Sequence, residues 1–262
     1  MSSPTPPVST RHVEYPDRGR VAHLTVDNRA KLNVLDGPAI AALAAAAQAL
    51  ATDVELRAVV LTGAGDRAFI GGADIPTMAA LDAGEAEAFI TALHRAIVAI
   101  RAIPVPVIAR INGYCLGAGL EIAAGCDLRV ASDNAVFGMP EVKVGIPSVI
   151  EAALLPRLVG WGHAAKLVLL GESIDAAEAL RIGLVEKVTP PDGLDAAVAA
   201  WIEAVLAAGA RAVRLQKALM REWERLAPDA AIEAGIASFR SSYASDEPRR
   251  LMERFLKRPR KP

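Results

Sequence analysis

The chain is predicted to fold as an α/β core followed by a helical C-terminal section, and three observations carry that prediction. Its 262 residues are 53% hydrophobic with a net charge of −1, which suits one large domain that buries its own core. β-branched apolar runs alternate with alanine- and leucine-rich helical periods through the first half. From residue 149 onward the pattern is almost entirely helical, broken near Gly171, Gly183 and Pro190-Pro191. The same composition rules out a largely disordered chain. The balance of 29 basic and 30 acidic residues argues against a general nucleic-acid binder. No stretch offers ~18 uninterrupted apolar residues, so no membrane span is expected. Cys115 and Cys126 form neither a CxxC pair nor a Cys/His metal pattern, and read as buried, reduced thiols of a cytoplasmic protein.

Residues 1–10 are rich in Ser, Pro and Thr without the apolar segment of a secretory signal, and are expected to form a disordered tail. Apolar runs flanking Pro16-Asp17-Arg18-Gly19 predict a β-hairpin over residues 13–26. Residues 36–51 predict a helix capped by Asp36. The run RAVVLT, residues 57–62, is a buried strand ending at Gly63, and residues 85–101 are helical. Pro104-Val105-Pro106 stops that helix and leads into a strand over residues 107–111. A glycine-rich loop over 113–119 follows, then a short helix from about Leu120, and short strands over 127–131 and 135–137. In the last third only residues 184–188 read as a strand. This divides the chain into a tail (1–10), a core (11–195) and a helical region (196–262). The wide apolar faces of the late helices predict packing, against another copy or within the chain.

The segment after residues 57–62, Gly63-Ala64-Gly65-Asp66-Arg67-Ala68, matches a dinucleotide fingerprint as a string. It lacks the helix that must open at the glycines and the acidic residue ~20 positions on, so a nucleotide site is not expected. No serine sits in a Gly-x-Ser-x-Gly elbow, and His12, His23, His94 and His163 show no metal spacing, each reading as a surface or locally bonded histidine. Two glycine-rich loops remain. One is Ala68-Phe69-Ile70-Gly71-Gly72-Ala73-Asp74-Ile75, and the other runs from Asn112 through Gly113, Gly117, Ala118 and Gly119 to Glu121. Both follow apolar strands, and small residues there let bare N–H groups approach one ligand oxygen, as an oxyanion hole requires. Glu121 and Glu141 each lie in apolar company, where a carboxylate is costly unless it is bonded or used. Alone, each reads equally as a cap or a solvent-facing group; together with two glycine loops they suggest an acid/base pair.

These strings resemble a known family. AFIGGADI (68–75), PVIARINGYCLGAGLEIAAGCDLRVAS (106–132) and FGMPEVKVGIP (137–147) are similar to the enoyl-CoA hydratase/isomerase (crotonase) superfamily. The resemblance continues through RLVGWGHAAKLVLLGESIDAAEALRIGLVEKV (157–188) and covers residues 12–258. It implies a crotonase-like spiral core of repeated ββα turns and a helical C-terminal region used for trimerisation, with trimers pairing into hexamers. It implies an acyl-CoA thioester substrate whose carbonyl oxygen becomes enolate-like, and no metal or redox cofactor, coenzyme A being part of the substrate. By motif match the oxyanion donors are the N–H groups of Ala73 and Ala118, so that Ala118 also binds the coenzyme A thioester, and the Ala73-Asp74-Ile75 stretch contacts the coenzyme A adenine through its backbone. Glu121 and Glu141 match the two catalytic glutamates of the hydratases. Related isomerases usually keep only the glutamate matching Glu141. Two acids therefore favour syn hydration of 2-enoyl-CoA to 3-hydroxyacyl-CoA over isomerisation, thioester hydrolysis or a non-catalytic coenzyme A-binding role.

Three departures from the family pattern stand out. Asn28-Arg29-Ala30-Lys31-Leu32-Asn33 is one residue shorter than the usual segment beside coenzyme A. Alanine replaces glycine at Ala118, which keeps the N–H and tightens the site. Ser148-Val149-Ile150-Glu151-Ala152 replaces a glycine-rich helix start, so Val149 and Ile150 bring bulk near the acyl pocket. Ser148 and Glu151 also fit an S-x-x-E capping box. The basic run over residues 249–261 reads as a solvated tail or as an attractor for coenzyme A phosphates.

Overall fold

A computed structural model describes residues 6–257 of the chain. β1 (Val8–Tyr15) and β2 (Gly19–Val26) form the predicted hairpin, turning through Asp17 and Gly19 at φ 60° and 90°. After α1 (Gly37–Ala51), a strand is followed almost at once by a second, shorter one, three times in succession: β3 (Leu56–Gly63) by β4 (Ala68–Ile70), β5 (Val107–Ile111) by β6 (Tyr114–Leu116), and β7 (Leu128–Ser132) by β8 (Val136–Gly138). The helices α2 (Ile75–Ala79) and α3 (Ala83–Ala102) separate the first pair from the second, and α4 (Ala118–Gly125) the second from the third. β9 (Ser173–Asp175) and β10 (Lys187–Thr189) close two sheets, ordered β1-β2-β3-β5-β7-β10 and β4-β6-β8-β9. All neighbours are parallel except β1–β2 and β8–β9. This is the expected spiral of ββα turns.

Local chemistry explains the elements. The Asp36 carboxylate accepts from Ala39 N–H at 2.9 Å and starts α1. Asp82 and Glu85 close a reciprocal capping box on α3, with bonds of 2.8 and 3.0 Å. β3 is buried on both faces, as a continuous apolar run requires. Val59 and Leu61 face the main core under α1 and α3, while Ala58 and Val60 meet Leu194, Val198 and Ile202 of α8 (Leu194–Ala207). The last third is otherwise helical: α5 (Leu155–Val159), α6 (Trp161–Leu170), α7 (Ala176–Arg181), α9 (Ala210–Trp223), α10 (Pro228–Ser242) and α11 (Glu247–Leu256). No single described helix is long and apolar enough to cross a membrane.

Several expectations need correction. The tail expected over 1–10 ends earlier: residues 8–10 belong to β1, where Val8 is buried opposite Val26. Residues 1–5 of that tail lie outside the described residues. The boundary after residue 195 falls inside α8, because that helix covers the large sheet and belongs to the core. β4 and β6, read as parts of glycine loops, are three-residue strands, too short to show a period. β9 went unseen for the same reason, and the strand expected over 184–188 is Lys187–Thr189, with Leu184 and Val185 buried in the preceding turn. Arg249, Arg250 and Arg254 of the basic run belong to α11, and Arg258, Arg260 and Lys261 lie outside the described residues.

Candidate active site

β4, β6 and β8 are parallel neighbours, so the segments leaving their C-terminal ends emerge side by side. β4 runs into Gly71-Gly72-Ala73, β6 into Gly117-Ala118, and β8 into Met139-Pro140-Glu141. With Phe89, Ile90 and Leu93 of α3 they form a mostly apolar cleft that Ala73, Ile75, Ala118, Glu121, Glu141 and Val149 all line. Three successive turns of the spiral thus each contribute one part of one cleft.

Two of the residues that line it have backbone N–H groups without a backbone acceptor. Leu35 N–H donates to Gly72 O and Asp74 N–H to Leu35 O, both at 2.9 Å, so this bridge uses the groups on either side of Ala73 and leaves its own N–H out. Ala118 is the first residue of α4, where an N–H has no acceptor within the helix and the helix dipole favours negative charge. Gly117, just before it, takes φ 50° and ψ −119°, and a side chain there would collide with Glu141 Oε1. At Gly119 a Cβ would strike Ile70 O, so glycine lets α4 press directly on β4.

The two glutamates differ. Glu121 lies in α4, only 4% exposed, and its Oε1 accepts from Ala152 N–H at 3.3 Å. Burial first, then the neighbouring charge of Glu141, push its carboxyl up to about 8, so it holds a proton at neutral pH. Glu141 sits at the start of a single 3₁₀ turn, Pro140–Val144, and its Oε2 accepts from Ser148 Oγ at 2.8 Å. Among the described residues, no three His, Cys, Asp or Glu side chains are arranged to hold a metal ion.

Not every expected site residue reaches the cleft. Asp74 does not line it: its N–H is held by Leu35 O, and its carboxylate caps α2 through Thr77 N and Oγ1 at 3.2 and 2.7 Å. Of the two bulky residues expected near the acyl pocket, Val149 lines the cleft and Ile150 does not. The capping box expected from Ser148 and Glu151 does not form. The 3₁₀ turn Ile150–Leu154 starts one residue too late for Ser148 to cap it. Ser148 instead bonds Glu141, and Glu151, 6% exposed, meets His94 Nδ1 at 2.9 Å. His94 and Glu151 are 57 positions apart, so no local sequence signal pairs them. The shortened segment at residues 28–33 still lies against the first loop, with Gly71 N–H donating to Leu32 O at 2.8 Å.

The comparison with known proteins agrees with this architecture. The Enoyl-CoA hydratase/isomerase family profile matches residues 17–262. Crotonyl-CoA hydratase of Syntrophomonas wolfei is 37% identical over 240 residues, 91% of this chain and 92% of that protein. Short-chain-enoyl-CoA hydratase of Clostridium acetobutylicum is 34% identical over 241 residues, 92% of each. The crystal structure of an enoyl-CoA hydratase from Mycobacterium smegmatis superposes with a TM-score of 0.92 at 30% identity, covering 98% of this chain and 99% of that one. The spiral of paired strands, the glycine-alanine turns at its edge and this similarity over nearly the whole length make the chain a member of the enoyl-CoA hydratase/isomerase (crotonase) family.

Proposed function

We propose that the chain adds water across the 2,3 double bond of 2-enoyl-CoA thioesters, with Glu121 and Glu141 as the acid/base pair and the N–H groups of Ala73 and Ala118 as the oxyanion hole. The observation that carries this reading is the convergence of two carboxyl groups and two uncommitted backbone donors on one apolar cleft. Glu121 enters this step protonated, since burial and the charge of Glu141 raise its carboxyl to about 8. As the water oxygen bonds C3, the double-bond electrons move toward the thioester carbonyl, whose oxygen becomes enolate-like between the two N–H groups. The ionised carboxylate takes a proton from the water, and the neutral carboxyl gives one to C2. One proton enters the pair from the water and one leaves it for C2, so no outside acid or base is needed. The similarity to Crotonyl-CoA hydratase and Short-chain-enoyl-CoA hydratase supports the same reaction.

Turnover against a panel of 2-enoyl-CoA thioesters of increasing length and branching tests this. Hydration of short members is expected, whereas isomerisation or thioester cleavage without hydration would overturn it. Val149 lines the cleft, so Val149→Ala is expected to raise kcat/KM for a branched or longer thioester about tenfold relative to a short one, the scale of one methylene in a tight pocket. An unchanged ratio would remove Val149 from the acyl pocket.

We also infer a homotrimer, alone or paired into a hexamer. The support is the large apolar side chains left exposed on the late helices, among them Met220, Trp223, Ile232, Ile236 and Phe239. A mass of one chain by light scattering at micromolar concentration would contradict it. The buried free thiols of Cys115 and Cys126 suit a reducing, cytoplasmic compartment.

A further inference from the structure

One short segment touches both glutamates. Ser148 Oγ donates to Glu141 Oε2 at 2.8 Å, and four residues later Ala152 N–H donates to Glu121 Oε1 at 3.3 Å. Between them Val149 forms part of the cleft wall, and Ile150 takes φ +38°, a left-handed conformation that a β-branched residue strongly disfavours. Such strain persists only where surrounding contacts over-determine it. The contact beside it is Glu151, 6% exposed, whose Oε1 lies 2.9 Å from Nδ1 of His94 on α3. Glu151 Oε2 is buried with no hydrogen-bond partner, so His94 is the first compensation that carboxyl has for leaving water, ahead of the charge of Arg101 and its own backbone N–H. His94 is half-exposed and follows Leu93, which lines the cleft.

We propose that the Glu151–His94 pair is a clasp that pins residues 148–152 to α3 and thereby sets the position of both glutamates. The inference rests on the hydratase reading above. Glu151 is a positioning residue, since Ser148 Oγ and the Ala152 N–H make the contacts to Glu141 and Glu121. Without the clasp Ile150 is free to leave its left-handed conformation, and the segment swings the Ser148 hydroxyl and the Ala152 N–H off their acceptors. A displacement of about 1 Å in groups that hold the reacting atoms costs on the order of 10²-fold in rate.

The test compares Glu151→Ala, Glu151→Gln, His94→Ala and the double variant Glu151→Ala/His94→Ala, each confirmed folded. Glu151→Ala and His94→Ala are each expected to lower kcat at least ~10-fold with KM within a few-fold, since the coenzyme A contacts are untouched. The double variant should fall no further than either single one, because both remove the same contact. Glu151→Gln, whose amide can still bond the imidazole, should recover most of the rate. An unchanged kcat in Glu151→Ala, or additive losses in the double variant, would overturn the clasp. A Glu151→Gln enzyme as slow as Glu151→Ala would also overturn it and make the charge itself the requirement. A crystal structure of Glu151→Ala supplies a readout independent of turnover: Ile150 should relax from its positive φ and the Ala152–Glu121 bond should be lost. Should the wild-type protein hydrate no thioester, the hydratase reading fails while that structural comparison still decides the clasp.

Discussion

Replacing either glutamate by glutamine is expected to lower kcat by at least ~10²-fold, the lower range for losing a general acid or base. Glutamine is nearly isosteric, and at Glu121 its carbonyl oxygen can still accept from Ala152 N–H, so the site should keep its shape. KM should stay within a few-fold, because thioester binding does not depend on proton transfer. The wild-type pH profile follows from the same pair. Burial and Glu141 hold the Glu121 carboxyl near 8, so kcat/KM should fall as pH rises past about 8, where the pair loses the proton meant for C2. That limb should vanish in Glu121→Gln. Stability separates lost chemistry from lost fold. The unfolded chain releases this proton near the ordinary value of 4.5 and the folded one only near 8, so wild-type stability declines as pH rises between those values. Each unit is worth about 1.4 kcal/mol, and glutamine has no proton to lose. Glu121→Gln should therefore melt higher than wild type at pH 8 while turning over far more slowly. A folded Glu121→Gln enzyme with near-full activity would remove it from the mechanism and favour a single-glutamate reaction.

What could be read from the sequence was local. The hairpin turn at Asp17 and Gly19, the cap at Asp36 and the apolar run of β3 each declare themselves within a few residues. The glycine-alanine turns at Ala73 and Ala118 were legible for the same reason, since each is a strand end followed by small residues. That these turns share one cleft was not legible from either alone. It follows from β4, β6 and β8 being parallel neighbours, and three-residue strands carry too little periodicity to reveal that.

The failed capping box shows where the reading stops. The string Ser148-Val149-Ile150-Glu151 satisfies the local rule for a helix start, and in isolation that is the conformation it favours. In the folded chain other partners compete: Glu141 takes the Ser148 hydroxyl, Glu121 shares the Ala152 N–H with the local Val149 O, and His94 takes the Glu151 carboxyl. The helix start slips by one residue and Ile150 is forced to positive φ. A local preference overridden at a backbone cost is what a segment shaped by its site looks like.

Ala118→Pro is expected to lower kcat by ~10²–10³-fold, about 3 kcal/mol of transition-state stabilisation, by deleting one oxyanion donor. The position makes this substitution unusually clean. Ala118 is the first residue of α4, where proline is well tolerated because the missing N–H had no helical acceptor and the fixed φ suits a helix start. The preceding residue, which proline normally restricts through its Cβ, is Gly117 and has none. The helix should therefore form as before, and the loss should fall on the step in which the thioester oxygen gains charge. The interaction is stronger with the enolate-like oxygen than with the neutral carbonyl, so kcat should drop while KM changes little. An Ala118→Pro protein with an unaltered melting temperature and an unaltered kcat would show that the thioester oxygen rests elsewhere in the cleft.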